Sequence, residues 1–192
     1  TQGIHDVLDQ NPIFDALKPD IVPRRPIALG EPFEPSKGLT AELFAVPGKV
    51  PLYLEGDTVE TELVGEQTVG VALSAQGKSA YYIPGCAKLT DDLRARLDGA
   101  DMVFFDGTLW SDDEMQKEGV GHKTGKRMGH MSMSGSDGSI AAFDGLDIGR
   151  RNPAQSLRPG CARSEPSDTM TYTRFMTFCM AAAARLIRCA LG

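Results

Sequence analysis

Met102-Val103-Phe104-Phe105-Asp106-Gly107-Thr108-Leu109-Trp110 is an apolar run that ends on a carboxylate and a turn pair. Consecutive apolar residues at Met102 to Phe105, without polar alternation, predict a strand buried on both faces. Just upstream, Thr90 predicts the N-cap of a helix that continues to Leu97. Asp91 and Asp92 suit its first turn through the macrodipole, and Gly99 ends it. Before that helix, Thr68 to Ala75 and Ser79 to Ile83 flank Gln76-Gly77-Lys78 and predict a hairpin. Hairpin, short helix, buried strand and long loop, in that order, predict an α/β layered fold.

Further toward the N-terminus, Thr40 to Val46 predicts a strand in which Ala41, Leu43 and Ala45 alternate against Glu42 and Phe44. Pro23, Pro26, Pro32 and Pro35 interrupt the preceding stretch, and leave room only for a short edge strand at Arg25 to Leu29. Asp6 to Gln10 reads as the end of a short helix, stopped by Asn11-Pro12. On the other side of the central strand, Ser136 to Phe143 predicts one further helix, opened by Ser136 or Asp137. No internal repeat is present.

The 192 residues, 41% hydrophobic and 24% charged, suit one globular domain, or one domain plus a tail, able to bury a core without disulfides. A net charge of -6 argues against a nucleic-acid partner held by a general basic footprint. No apolar run approaches the roughly 20 residues that cross a bilayer. Neither is there a basic-then-apolar leader, although the chain begins at Thr1 rather than Met. Cys86, Cys161, Cys179 and Cys189 form no C-x-x-C pair. Together these features predict a cytoplasmic protein with no membrane partner. Composition changes near Arg150: residues 1–150 carry a net charge of -10, and residues 151–192 carry +4 with no lysine and three of the four cysteines. The division read from this is a domain at 1–150 and a divergent basic tail at 151–192, helical from about Thr171.

Asp106 stands where the buried strand emerges, the place where ligands collect in α/β sheets. A carboxylate there can bind a metal, position a water or cap the following turn; Asp-Gly favours the cap. Gly119 to His130 is glycine-rich and basic, but it is not a phosphate loop: the pattern G-x-x-x-x-G-K-[ST] fails at Val120 and at Arg127. It reads either as a solvated surface loop or as a basic loop closing on an anionic substrate. His130, in Gly129-His130-Met131-Ser132-Met133-Ser134-Gly135, is either a structural histidine bonded to a backbone carbonyl or a proton donor or metal ligand near neutral pH. His5 suits a helix surface and His122 an exposed loop, and three histidines cannot by themselves build a multi-histidine metal site.

Taken together, four stretches resemble the coenzyme PQQ synthesis protein B (PqqB) family, a branch of the metallo-β-lactamase fold. They are Ala45-Val46-Pro47-Gly48-Lys49-Val50, Tyr82-Ile83-Pro84-Gly85-Cys86-Ala87, Phe105-Asp106-Gly107-Thr108-Leu109-Trp110 and Arg127-Met128-Gly129-His130-Met131-Ser132-Met133-Ser134-Gly135. Asn11-Pro12-Ile13-Phe14 and Val22-Pro23-Arg24-Arg25-Pro26 are similar as well. The resemblance covers residues 1 to about 150. It implies a partial αββα sandwich with its site on one edge of the sheets, and a cytoplasmic role in making pyrroloquinoline quinone (PQQ). Two activities are implied: metal-dependent oxidation of the crosslinked Glu-Tyr product cut from a precursor peptide, or non-catalytic carriage of PQQ or its precursor toward the periplasm.

In the first, the resemblance implies His130 as a proton donor or supporting group, Asp106 as the residue that orients it, and Lys123 and Arg127 as partners of substrate carboxylates. Iron or zinc belongs to the intact family protein. Its principal ligands fall in an N-terminal part that this chain lacks, so the expectation is that this chain holds no metal. Cys86 stands where related members of the fold often place an Asp ligand; a thiol there suits packing better than metal binding. The family continues past residue 150 into a strand with a His-Ile-Asn-Asn-type motif, whereas Arg151-Asn152-Pro153-Ala154 opens an Arg-rich sequence here. A shifted reading frame would account for that change. The third reading is therefore an inactive truncated product that exposes apolar sheet surface.

Overall fold

The computed structural model describes residues 2–50 and 60–149. The tail at 151–192, with its predicted helix from about Thr171 and its three cysteines, lies outside the described residues. Helix α1 (Gln2–Gln10) leads through a 3-10 turn (Pro12–Ala16), capped by the Asn11 side chain, into an irregular arm. A five-stranded sheet follows, built from β1 (Phe33–Ser36), β2 (Leu39–Gly48), β3 (Leu63–Ala75), β4 (Lys78–Ile83) and β5 (Met102–Phe105), in that spatial order. The first four strands meander antiparallel, and β5 pairs parallel to β4 after a crossover through α2 (Asp91–Leu97).

The hairpin joining β3 to β4 turns on Gln76 and Gly77, both at positive φ (53° and 73°). A two-residue loop of that hand matches the twist of the strands it joins. Thr90 caps α2 through a bond from the Leu93 N–H. Leu93 and Leu97 then bury on the sheet, each worth about 1.5–3 kcal/mol of apolar transfer. They meet Phe44 and Val46 of β2, Ile83 of β4, and Val103 and Phe105 of β5. Phe104 is buried on the opposite face, as the apolar run requires. Arg94 ties α2 to the carbonyls of Ala142 and Asp144, so the segment that follows the site is fastened to the same layer.

Three local expectations differ. Arg25 to Leu29 forms no strand; the edge strand is β1, because Gly38 at φ +78° turns the chain so that Phe33 pairs with Ala41. In β2 the face that meets α2 carries Phe44 and Val46, rather than Leu43 and Ala45. Phe44 buries in the apolar cluster with Leu93 and Leu97, and the Arg96 guanidinium lies 4.2 Å from its ring centroid while also pairing with Glu42. The last helix, α5 (Ser139–Ala142), starts after Gly138 and not at Ser136 or Asp137. A Cβ at residue 138 would sit 2.3 Å from the Ser134 carbonyl oxygen, so the approach to α5 is a tight backbone turn.

Candidate functional site

Because β2 and β4 are both antiparallel to β3, and β5 is parallel to β4, the ends of β2, β4 and β5 reach one edge of the sheet. Lys49, Gly85-Cys86 and Asp106 follow those ends. The loops there are stitched together: the Ala87 N–H donates to the Pro47 carbonyl, and the Met131 N–H to that of Cys86.

Asp106 is the centre of the edge, with its side chain fully buried. Oδ1 accepts from the Thr108 N–H at 3.1 Å and the Thr108 hydroxyl at 2.7 Å; Oδ2 accepts from the Cys86 N–H at 3.1 Å. His130 Nδ1 lies 2.7 Å from Oδ2. Every group around this carboxyl can donate, so it serves as a carboxylate acceptor and fixes the proton of His130 on Nδ1. The two oxygens thus share the two roles left open by the sequence. One caps the Asp-Gly-Thr turn, and the other holds a histidine.

The chain delivers His130 through a short helix. Thr124 caps α4 (Gly125–Met128), Gly129 ends it at φ +78°, and the His130 N–H returns to the Gly125 carbonyl at 2.9 Å. Gly129 has to be glycine twice over, since a Cβ there would also meet Lys49 Cγ at 2.9 Å. The His130 ring edge lies over Gly85, where a Cβ would approach Cε1 to 3.3 Å. With Nδ1 facing Asp106 and 28% of the side chain exposed, Nε2 is the ring atom left to meet a ligand.

The hydrogen bond that His130 donates to Asp106, together with the negative charge of that carboxylate, raises the pKa of His130 above the ordinary histidine range, against burial and the charge of Lys49. The Cys86 thiol is also shifted upward: burial, helped by the charge of Asp106, pushes it up to about 12, and the thiol donates to the Lys88 carbonyl. It is a packed thiol, not a nucleophile.

Lys123 is half-buried just before the α4 cap, and Arg127 is exposed on α4 with its N–H bonded to the Thr124 hydroxyl. His122 is exposed, and its carbonyl accepts from Gln116. Thr108, the Cys86 N–H and Lys49 escape a reading of the sequence by residue type. Only the Asp-x-Thr spacing, which suits a side-chain-to-backbone turn, could have marked Thr108.

Among the described residues no group of three or more His, Cys, Asp or Glu side chains is placed to hold a metal ion. Asp106 has both oxygens engaged by donors and Cys86 keeps its proton, so of these side chains only His130 offers a lone pair outward. The described residues by themselves do not fit a zinc or iron ion. No described helix is long and apolar enough to cross a membrane.

The model of the Beta-lactamase superfamily domain matches residues 1–153. The chain belongs to that superfamily. Within it, the chain is similar to coenzyme PQQ synthesis proteins B. It is 60% identical over 146 residues to the coenzyme PQQ synthesis protein B of Ruegeria pomeroyi, covering 76% of this chain and 50% of the relative. It is 54% identical over 158 residues to that of Gluconacetobacter diazotrophicus, covering 79% and 52%. A crystal structure of zinc-bound PqqB from Methylobacterium extorquens matches with a TM-score of 0.73 at 52% identity, over 79% of this chain and 50% of that one. The chain spans about half the length of the curated relatives it matches. Within this superfamily chain, the five-stranded sheet and its loop-lined edge make up the metallo-β-lactamase-like fold expected from the motifs.

Proposed function

We propose that this chain is part of a protein of PQQ biosynthesis, whose reaction is the oxidation, by hydroxylation, of the Glu-Tyr product cut from a precursor peptide. The zinc-bound relative supports a metal ion in the whole protein, held by residues other than those described here. What this chain contributes is a directed imidazole. Asp106 orients His130 and holds a proton on Nδ1, and Nε2 gives or takes a proton at the substrate. Lys123 and Arg127 meet substrate carboxylates as the substrate approaches α4. The observation that carries the reading is the 2.7 Å Asp106–His130 contact at the edge where three strands end, in a chain 60% identical to a named PQQ synthesis protein.

The test is a graft. Residues 1–149 replace the matching half of the Ruegeria pomeroyi protein, and PQQ is measured in a strain that lacks its own copy. The graft should restore PQQ, and His130→Gln within it should lower the rate by about 100-fold or more. A soluble, folded graft that makes no PQQ, or an unimpaired His130→Gln, contradicts the reading. Oxygen uptake by the purified graft separates oxidation from carriage, since a carrier binds PQQ without consuming oxygen.

A further inference from the structure

Thr108 touches both members of the Asp106–His130 pair. Its hydroxyl lies 2.7 Å from Asp106 Oδ1 and 3.3 Å from His130 Nδ1, and its backbone N–H donates to the same Oδ1 at 3.1 Å. A hydroxyl has one proton and two lone pairs, whereas a carboxylate can only accept. The hydroxyl proton therefore goes to Oδ1, and toward the ring Thr108 is left as an acceptor. The Nδ1–H meets two oxygens, Asp106 Oδ2 at 2.7 Å and Thr108 Oγ1 at 3.3 Å, so the three side chains close a triangle of hydrogen bonds. Each alternative arrangement is penalised. A proton moved to Nε2 would set the Nδ1 lone pair against two oxygens. A ring turned over about its Cβ–Cγ bond would put a carbon there instead. The carboxylate is itself kept from turning, because the Thr108 N–H holds one oxygen and the Cys86 N–H the other.

We propose that Thr108 is a positioning residue of this site: its hydroxyl, donating to Asp106 and accepting from His130, locks carboxylate and imidazole so that Nε2 alone is turned outward. It acts through the other two side chains, and side-chain networks of this kind are worth more than their bonds taken singly. The hydroxyl is the part that matters: serine retains it, and valine keeps the shape without it. The inference deepens the reading of the site given above and rests on it only for the reaction served.

The test follows the His130 ring by NMR in the full 192-residue chain. In the unmutated chain the His130 Nδ1–H and the Thr108 hydroxyl proton should both be visible, with a nuclear Overhauser contact between them; this arm does not depend on any variant folding. In folded Thr108→Val the Nδ1–H should exchange with water about 10-fold faster or more, and in Thr108→Ser it should stay within about 3-fold of the parent. In the purified graft, Thr108→Val should lower kcat for oxygen uptake about 10-fold with KM within about 3-fold, and Thr108→Ser should restore it. The proposal is overturned if either proton or their contact is missing, if folded Thr108→Val exchanges like the parent or leaves kcat unchanged, or if Thr108→Ser behaves like Thr108→Val. The pathway reading stands or falls separately, on the unmutated graft: the expected NMR results beside a graft that makes no PQQ would keep this triangle and discard the pathway.

Discussion

In the N-terminal arm, Ile4 and Ile13 are 67% and 73% exposed, and the 3-10 turn buries no residue. Around α2, Ile83 and Leu97 are fully buried, and residues from Phe44 to Ile148 join a single apolar cluster to which the arm contributes nothing. The two regions are similarly rich in aliphatic side chains. What separates them is a second layer: α2 and the segment after α5 cover one face of the sheet, whereas α1 packs on little beyond its own 3-10 turn. The site belongs to the covered region, so its geometry is underwritten by that core and is independent of the arm.

The largest test of this contrast pairs Leu97→Ala with Ile13→Ala. Truncating the buried leucine should cost about 2–5 kcal/mol in urea unfolding, and the exposed isoleucine less than about 0.5 kcal/mol. Equal losses would mean the arm is part of the core. Next in size is Asp106→Asn. It faces buried donors with an amide and should cost about 2 kcal/mol. It also removes the main cause that raises the pKa of His130. Burial and Lys49 remain, and both push downward, so the His130 titration should fall below its ordinary value.

A third, smaller effect is in pH dependence. Since the folded-state pKa of His130 is raised, its contribution to stability is complete below the unfolded value of about 6.5 and is lost as pH rises through the folded value. Thermal unfolding across that window should lose stability in the parent chain and be flatter in His130→Gln. Smallest of all is Arg24→Gln in the arm. Its ion pair with Asp9 is on the surface, and its loss should change stability by less than about 0.5 kcal/mol.

Much of the covered region was legible because its signals are local. The Thr90 cap, the Gln76-Gly77 turn and the Met102–Phe105 run each depend on a few adjacent residues whose backbone preferences agree with the fold. The face of β2 was not legible, because apolar residues line both sides of that strand and the layer that covers one of them, α2, comes far along the chain. Asp106 and His130 could each be singled out, Asp106 by its position after a buried strand and His130 by its motif. Their contact could not, since it depends on how α4 returns the chain across 24 positions. Lys49 was quoted within a motif, but its place beside Gly129 exists only once the ends of β2, β4 and β5 are aligned.

The Asp106-directed imidazole is tested most directly by 15N NMR of the His130 ring over a pH titration. The account predicts that Nδ1 stays protonated throughout, that Nε2 alone loses its proton, and that the midpoint lies above about 6.5. A ring that loses its proton from Nδ1, or one that titrates at or below that value, would contradict it.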